Sequence, residues 1–258
     1  MKRLWNACGI AFSMYSAIPM PQVAWTPENM RYAFCFFPLV GAVIGGVVYG
    51  WLWLCQALEI GAVLTAAVAT ALPVLLSGGI HLDGFCDTVD ALASHAPTAR
   101  KLEILSDPHT GAFAVMGCCL YLLLTFALWH ELPRQPWLSA IVSVGFALSR
   151  ALSGLAVVSF RCAKTSGLAA AFANAVQQKW QVSFVLFCWI WALAFGMLRL
   201  SLVAGGTCLL AVLVVFCYYK RCANIHFGGI TGDLAGYFLQ LGELGMLAAA
   251  VLAGRFLE

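Results

Sequence analysis

Carboxylates gather in one stretch of this otherwise apolar chain. Five of its eleven acidic residues fall between positions 83 and 107: Asp83, Asp87, Asp90, Glu103 and Asp107. The first three are spaced i, i+4, i+7, which on a helix places them within about 60° of arc. Three like charges on one face repel each other, and a divalent cation relieves that repulsion. The pattern predicts a metal–phosphate site, with a solvated acidic face on a juxtamembrane helix as the structural alternative.

Mg²⁺ is the cation that this pattern suits best. It is a hard ion that takes one or two carboxylates and completes its coordination with water and substrate phosphates. Asp83, Asp87 and the more distant Asp233 are therefore the predicted metal ligands. The chain has no zinc signature, and its eleven cysteines include no CxxC pair, so we interpret most of them as packing residues.

A second polar island, HFGGITGDLAGY, covers residues 226–237. Its glycines, Gly228, Gly229 and Gly232, free the backbone for an unusual turn, and Thr231 could cap a following helix. Exposed backbone N–H groups at a helix start suit a phosphate, so these four residues form a candidate phosphate site. Asp233 could be a metal ligand, a ribose partner or simply an acid that favours the helix dipole.

Five further polar residues are candidates for the site, and most of them also have a structural interpretation. Glu243 and Arg150 lie inside predicted membrane spans, where an ionisable residue is a functional candidate, although the two could simply neutralise each other. Lys164 is a candidate phosphate contact, although membrane topology alone would explain it. Asp107 is a candidate supporting residue. His81 would point away from the acidic face unless a break at Gly78-Gly79 turned it into the site.

The elements that must position these residues are membrane helices. Hydrophobic residues make up 62% of the 258 residues and charged residues only 10%, against about a quarter charged in soluble domains. So few charges cannot cover a soluble surface, so the excess apolar surface must face lipid. We predict one all-α, polytopic domain over residues 1–258, with about seven spans near 34–55, 60–80, 112–130, 137–159, 181–198, 201–218 and 235–253.

The distribution of basic residues predicts the orientation. With seven spans and a cytoplasmic N-terminus, ten cations fall on the cytoplasmic side: Lys2, Arg3, Arg31, Arg100, Lys101, Arg161, Lys164, Lys179, Lys220 and Arg221. Only Arg134, Arg199 and Arg255 fall outside. The acidic cluster and the glycine turn then share the cytoplasmic face. The N-terminal stretch, residues 1–21, is interpreted as a retained segment that is interfacial or half-inserted. The net charge of +3 is too small to indicate nucleic-acid binding.

At GGIHLDGFCDTVDAL the chain resembles the cobalamin synthase family, the adenosylcobinamide-GDP ribazoletransferases. The resemblance also covers FPLVGAVIG at 37–45, LEILSDPHTGAF at 102–113, SGLAAAFA at 166–173, and GGITGD with the later Glu243. It departs from the family pattern at Ala91, where a glycine is expected, and at Lys164, where an arginine is expected. Basic residues are also expected near His109 and before Ile18.

The resemblance implies a multi-span enzyme of the bacterial inner membrane that uses Mg²⁺. It would join adenosylcobinamide-GDP to α-ribazole or its 5′-phosphate, release GMP and form the nucleotide loop of cobalamin. Asp83, Asp87, Asp90 and Asp233 become the expected metal and phosphate residues, with His81 beside them. For the attacking ribose hydroxyl, Asp90 is the first candidate general base and His81 the second. The oligomeric state is left open.

Two other functions are weighed against this one. A CDP-alcohol phosphotransferase also displaces a nucleotide at a helical Asp array, but its motif continues Asp-Gly with an Ala-Arg pair that is missing after Gly84. An ion-coupled transporter would place Asp83, Asp233, Glu243 and Arg150 near the bilayer midplane, usually in paired repeats. Here the acids gather at one membrane face, and the sequence shows no repeat.

Overall fold

The structure is a computed structural model that describes residues 2–164, 168–176 and 179–257. Its elements, in chain order, are α1 Lys2–Tyr15, α2 Pro27–Met30, α3 Ala33–Ala57, α4 Ala62–Ser77, α5 Ile80–Ala93, α6 Thr98–Ile104, α7 Ala112–Glu131, α8 Pro136–Ser159, α9 Leu168–Ala175, α10 Lys179–Leu200, α11 Leu202–Cys222, a π-helix Ala223–Phe227 and α12 Gly232–Leu257. Extended pairing within the described residues is confined to one isolated bridge between Cys162 and Ile230. The all-α prediction is confirmed. Ser166 and Gly167 of the family block at 166–173 lie outside the described residues.

The membrane prediction is also confirmed. Six helices of the described chain are long and apolar enough to cross a bilayer: Ala33–Ala57, Ala112–Glu131, Pro136–Ser159, Lys179–Leu200, Leu202–Phe227 and Gly232–Leu257. A seventh span is present if α4 and α5 are counted together. Their exposed surface is rich in large apolar side chains such as Leu123, Trp191 and Leu213, as expected for contact with lipid.

The second predicted span, 60–80, differs from a simple helix. The helix α4 stops at Ser77, and α5 leaves it at an angle of 95°. Gly78 and Gly79 make the break with φ values of 66° and 77°, a left-handed conformation that glycine adopts without a Cβ penalty. The sequence predicted that His81 could face the site only if the chain broke at this glycine pair, and the break is present.

The loops identify two opposite ends of the helix bundle. At one end Arg134 donates to the Ile60 carbonyl (3.1 Å), and Arg255 contacts Glu131. At the other end the buried Lys101 meets His226 (3.2 Å). The second end, which holds the 161–164 segment, α6 and the start of α12, is called the basic end below.

Helix α8 forms the centre of the bundle and packs most closely on α3. A Cβ on Gly41 would lie 2.2 Å from the Phe146 carbonyl oxygen, and one on Gly45 would lie 2.1 Å from that of Ser143. These two glycines, spaced i and i+4, let the backbones approach as small residues do in membrane helix pairs. The N-terminal helix α1 packs on α3, and its last residue, Tyr15, lies against Phe34 and Phe37.

Candidate active site

Helix α5 carries the acidic triplet as predicted. Asp83, Asp87 and Asp90 all lie within Ile80–Ala93, where Asp83 is exposed and the other two are half-buried. The opposite face of the helix buries apolar and small residues, among them Phe85 and Thr88. Asp87 lies within charge–charge range of the other three predicted carboxylates. The helix therefore presents its acids away from the packed side.

Two glycines bring α5 and α12 into close contact at this point. A Cβ on Gly84 would lie 2.8 Å from the Asp233 backbone, and one on Gly236 would lie 2.8 Å from the His81 carbonyl oxygen. Each glycine thus faces a candidate site residue on the other helix. Because the two helices cross here, acids that are far apart in the sequence come together, and Asp83 and Asp233 line the same cavity.

This cavity has a volume of about 400 Å³. It is lined by Met14, Tyr15, Phe34, Phe37, Ile80, His81, Asp83, Ser153, Val157, Cys162, Lys164, Ile230, Thr231, Gly232, Asp233, Ala235, Gly236 and Leu239. Six of the predicted site residues meet here: His81, Asp83, Lys164, Thr231, Gly232 and Asp233. An apolar pocket with a few convergent polar groups is the usual form of a small-molecule site.

Asp90 does not line this cavity, and its position changes the predicted order of the candidate bases. Its carboxylate lies directly against Gly111, the residue before the first turn of α7, where a Cβ would come within 2.1 Å of Asp90 Oδ1. A carboxylate at a helix N-terminus is stabilised by the helix dipole. Of the two candidates it is His81, ranked second from the sequence, that reaches the cavity.

The imidazole of His81 is enclosed by aromatic rings. It is 4% exposed, stacks on Tyr15 with centroids 5.9 Å apart and lies 5.9 Å from the Phe37 ring. Its Nε2 has no hydrogen-bond partner among the described residues. A buried polar atom without a partner is uncommon in proteins and is often found where a ligand or a proton transfer completes the site.

The glycine turn works differently from the prediction in its first half. The N–H groups of both Gly228 and Gly229 bond to the Ala223 carbonyl and end the π-helix, and neither glycine lines the cavity. Gly229, with φ of 157°, also lets the 161–163 backbone approach, since a Cβ there would lie 2.5 Å from the Arg161 oxygen. These two glycines shape the chain, so only the second half of the turn can face a phosphate from this cavity.

The second half of the turn begins α12. The Thr231 Oγ1 accepts the Leu234 N–H (3.2 Å), which confirms the predicted cap, and donates to Asp233 Oδ2 (3.3 Å). Thr231 and Gly232 line the cavity at the N-terminus of a 26-residue helix. The partial positive charge of that helix end favours an anion at this wall.

Lys164 reaches the cavity because its segment is paired with the turn. The Ile230 N–H donates to the Arg161 oxygen (2.8 Å), and the Ala163 N–H donates to the Ile230 oxygen (2.9 Å). The Lys164 ammonium donates to Ser106 Oγ (2.6 Å). A flexible ammonium held in this way can meet a phosphate as a point charge, without the two-pronged geometry of arginine.

The remaining supporting candidates lie outside the cavity. Asp107 is half exposed and accepts both the His109 backbone N–H (2.9 Å) and a contact from the His109 ring (2.7 Å). The backbone bond first, and then the ring, lower the Asp107 pKa below the usual range of an aspartate. The pair fixes the loop before α7, and neither residue reaches the cavity lining.

Arg150 and Glu243 form a buried ion pair between α8 and α12. Arg150 Nη1 lies 2.5 Å from Glu243 Oε1, and the two side chains are 2% and 9% exposed. Ser149 Oγ donates to the same oxygen (2.8 Å), and Arg150 also donates to the Phe146 carbonyl (2.9 Å). The sequence left open whether these two residues are functional or simply neutralise each other. This geometry supports mutual neutralisation.

The carboxylates do not form a complete metal cage by themselves. Across the described ranges, no three His, Cys, Asp or Glu side chains group closely enough to hold a metal ion. Asp83 and Asp233 are the two carboxylates on the cavity, and Asp87, the third predicted ligand, is absent from its lining. Two protein carboxylates are the number that Mg²⁺ commonly uses when phosphates and water fill its other positions.

The sequence did not indicate the apolar half of the lining. Tyr15, Phe34 and Phe37 come from α1 and α3 and line the cavity, where Tyr15 and Phe37 lie against His81. In a chain with 62% hydrophobic residues, aromatic side chains in apolar helices look the same whether they face a ligand, the core or lipid. Only the tyrosine at the end of α1 carried a weak signal, as an aromatic residue with a polar group beside the predicted interface.

Comparisons with known proteins agree with one another. A family profile described as Cobalamin-5-phosphate synthase matches residues 7–251. A relative in Lachnoclostridium phytofermentans named adenosylcobinamide-GDP ribazoletransferase is 47% identical over 248 residues, which cover 96% of this chain and 94% of the relative. Relatives of the same name in Desulfitobacterium hafniense and Clostridium botulinum are 33% and 30% identical, cover 97% and 98% of this chain, and are themselves covered to 96% and 99%. No solved structure matches the chain.

Proposed function

Since the chain belongs to the cobalamin-5-phosphate synthase family, we propose that it is a Mg²⁺-dependent transferase that joins adenosylcobinamide-GDP to α-ribazole or its 5′-phosphate. The family and the named relatives assign the chain to the nucleotide-loop assembly step of cobalamin biosynthesis. The observation that carries the proposed chemistry is one cavity lined by two carboxylates, an ammonium group, a histidine and a helix N-terminus.

The proposed reaction is a displacement at phosphorus. A ribose hydroxyl oxygen of the acceptor forms a bond to the cobinamide-side phosphorus of the diphosphate. The bond from that phosphorus to the bridging oxygen breaks, and GMP leaves with the electron pair. Negative charge accumulates on the oxygens around this phosphorus, so alignment and electrostatic stabilisation account for most of the catalysis.

Asp83 and Asp233 fit the proposed Mg²⁺ in number and in chemistry. They come from two helices, line the same cavity and leave the remaining positions to water and phosphate oxygens. When bound there, the ion would neutralise diphosphate charge and ease the departure of GMP. Asp87, one turn further along α5, supports the site through its charge.

The other cavity residues have roles that follow from their chemistry. The Lys164 ammonium and the start of α12 at Thr231 and Gly232 bind phosphate oxygens. His81 takes the proton of the attacking hydroxyl at its ring nitrogen, because a general base must lie within hydrogen-bond reach of the proton that it removes. Asp90, which lies against Gly111, helps to fix α5 on α7.

The same end of the bundle carries the cations that predict its side of the membrane. The 161–164 segment, α6 and the start of α12 meet at the basic end, where Lys101 and Lys164 also lie. Positive residues favour the cytoplasmic side of a bacterial inner membrane. The proposed site therefore faces the cytoplasm.

The proposal is tested with purified protein in lipid nanodiscs supplied with adenosylcobinamide-GDP, α-ribazole 5′-phosphate and Mg²⁺. We expect stoichiometric release of GMP and a joined corrinoid product, both abolished by EDTA and restored by excess Mg²⁺. Asp83→Asn should lower kcat by about 10²–10³-fold, the usual loss when a transition-state electrostatic group is removed. The matched control Glu28→Gln, on exposed α2, should behave as the wild type.

Two outcomes would contradict different parts of the proposal. Near-normal turnover by folded Asp83→Asn protein would remove that carboxylate from the metal site. No product from folded wild-type protein, in several lipid compositions, would remove the reaction itself.

A further inference from the structure

The cavity lining divides into two chemically different parts. One part is polar and consists of Asp83, Lys164, Thr231 and Asp233. The other part, called the aromatic wall here, consists of Tyr15, Phe34, Phe37 and His81. Metal and phosphate chemistry uses only the polar part, so within the aromatic wall only His81 has a role in the mechanism so far, and its three carbocyclic rings have none.

The four rings of the aromatic wall support one another. The Tyr15 and Phe37 centroids are 4.2 Å apart, Tyr15 and Phe34 are 6.3 Å apart, and the Tyr15 and His81 rings stack at 21°. Phe34 and Phe37 are each 2% exposed, whereas Tyr15 is only half-buried. Tyr15 is therefore the most exposed of the four side chains and the one best placed to meet a ligand, and the other rings hold it in position.

The size of the cavity limits what can occupy it. A volume of about 400 Å³ is near the lower end of the range of about 300–1,000 Å³ for small-molecule sites. A nucleoside fits such a volume, but a corrin macrocycle with its side chains does not. The bulky donor substrate must therefore present only its diphosphate to the polar part, and the space beside the aromatic wall is left for one flat base.

Two bases take part in the proposed reaction, the guanine of the donor and the benzimidazole of the ribazole acceptor. Guanine carries a carbonyl oxygen and two kinds of N–H donor, each of which costs free energy if it is buried without a partner. A methylated benzimidazole is nearly apolar and stacks readily on an aromatic ring. The phenylalanine rings of the wall offer no hydrogen-bond partners, which favours the apolar base.

We infer that the aromatic wall binds the benzimidazole base of the ribazole acceptor, with Tyr15 as the stacking residue that sets acceptor affinity. This inference rests on the proposed function and adds the subsite for one of its two substrates. The base on the wall and the diphosphate on the polar part bring the ribose between them, next to His81. Tyr15 thus acts as a specificity residue, because it touches the base and none of the reacting atoms.

Direct binding separates this inference from the proposed function. Titration of α-ribazole into wild-type protein in nanodiscs, without the donor, should give saturable binding, and a simple methyl riboside without the base should bind at least about 10-fold more weakly. Tyr15→Leu keeps an apolar side chain but removes the flat ring, so its Kd for α-ribazole should rise about 10-fold. Tyr15→Phe should retain wild-type affinity.

The control and the donor substrate complete the design. Tyr49→Leu, the same exchange on α3 away from the cavity, should leave both substrates unaffected. The KM for adenosylcobinamide-GDP should be unchanged in Tyr15→Leu, and an unchanged value also shows that this variant is folded.

Three results would overturn the inference while leaving the proposed function standing. In each case wild-type protein would turn over both substrates. The first is equal affinity of Tyr15→Leu and wild type for α-ribazole. The second is equal binding of α-ribazole and methyl riboside by the wild type, and the third is a loss of GMP affinity in Tyr15→Leu in place of α-ribazole affinity. Absence of turnover in the wild type would instead reject the proposed function.

Discussion

Asp233 and Glu243 lie on the same helix, α12, and differ in what surrounds them. Glu243 shares one carboxylate oxygen with Arg150 and Ser149, and its side chain is 9% exposed. Asp233 receives one hydroxyl hydrogen bond, from Thr231, and lines a cavity together with Asp83. The charge of Glu243 is thus neutralised by an ion pair within the protein, whereas Asp233 shares a cavity with a second acid.

The comparison shows that an acid within membrane helices is not functional by position alone. Burial makes both charges costly, and the protein offsets that cost in two ways. At Glu243 it supplies a fixed cation and a hydroxyl, which leaves little capacity for a ligand. At Asp233 it supplies a cavity in which a ligand can complete the charge balance. The hydrogen-bond and charge partners of the two acids, more than their depth in the membrane, distinguish the structural Glu243 from the candidate site residue Asp233.

The largest expected effect comes from breaking the matched pair. Arg150→Met leaves Glu243 buried without its cation and should lower the free energy of unfolding by about 3–5 kcal/mol. The double variant Arg150→Met with Glu243→Leu should recover most of that loss, because an apolar pair can replace a buried ion pair. Thermal midpoints in a fixed detergent measure both. A double variant as unstable as Arg150→Met would show that Arg150 stabilises the fold without Glu243.

The next effect is on catalysis and comes from Asp233. Asp233→Asn should lower kcat by about 10²-fold, because a charged group is lost from the reacting centre. Its thermal midpoint should stay near that of the wild type, since Asp233 makes no direct ion pair within the described residues and the nearby Lys164 ammonium donates to Ser106. The comparison breaks down if Glu243→Gln loses as much kcat per folded molecule as Asp233→Asn.

A smaller effect should follow from separating the two helices at the site. Gly236→Ala places a methyl group 2.8 Å from the His81 carbonyl oxygen, and relief of such overpacking costs about 1–3 kcal/mol. We expect α5 to move and the KM values to rise before the fold is lost. Gly46→Ala is the control, because a Cβ there meets nothing within 4 Å. Equal kinetics for the two alanine variants would show that the crossing does not set the site geometry.

The smallest effect concerns the cation beside the acids. Lys164→Ala should raise the KM for adenosylcobinamide-GDP about 10-fold, which corresponds to the loss of one charge-assisted contact. Lys164→Arg should restore it, and the control Lys220→Ala, at an exposed position on α11, should have no effect. Initial rates at several donor concentrations measure all three. A Lys164→Ala effect on kcat alone would move this residue from binding to transition-state stabilisation.

Much of the fold follows from the sequence because lipid imposes simple rules. Helix spans need about twenty apolar residues, and the predicted spans agree with the observed α-helices to within four residues, apart from 60–80. The sixth span is continued beyond α11 by the π-helix Ala223–Phe227. The departure at 60–80 is local, since glycines at 78 and 79 allow both a straight helix and a left-handed break. The choice between them depends on tertiary packing, such as that of α5 on α12 and α7.

The site was predictable where one helix carries it, and less so where distant segments meet. The acidic face of α5 and the Thr231 cap depend on spacing along the chain, and both were predicted. The position of Asp90 against Gly111 depends on how α5 packs on α7, and the place of Lys164 depends on backbone pairing with Ile230. Neither contact has a spacing signature, and the rings of the aromatic wall are masked by the apolar composition around them.

The crossing of α5 and α12 has a consequence for how the protein is made. The chain emerges from the ribosome with its N-terminus first, so α5 enters the membrane long before α12 exists. Until α12 docks on α5, with its Gly236 against His81 and its Asp233 against Gly84, the acids of α5 have no Asp233 near them and the cavity lacks the wall that α12 supplies. A truncated or half-inserted chain therefore cannot hold substrate, and only a fully synthesised polypeptide gains the ability to act.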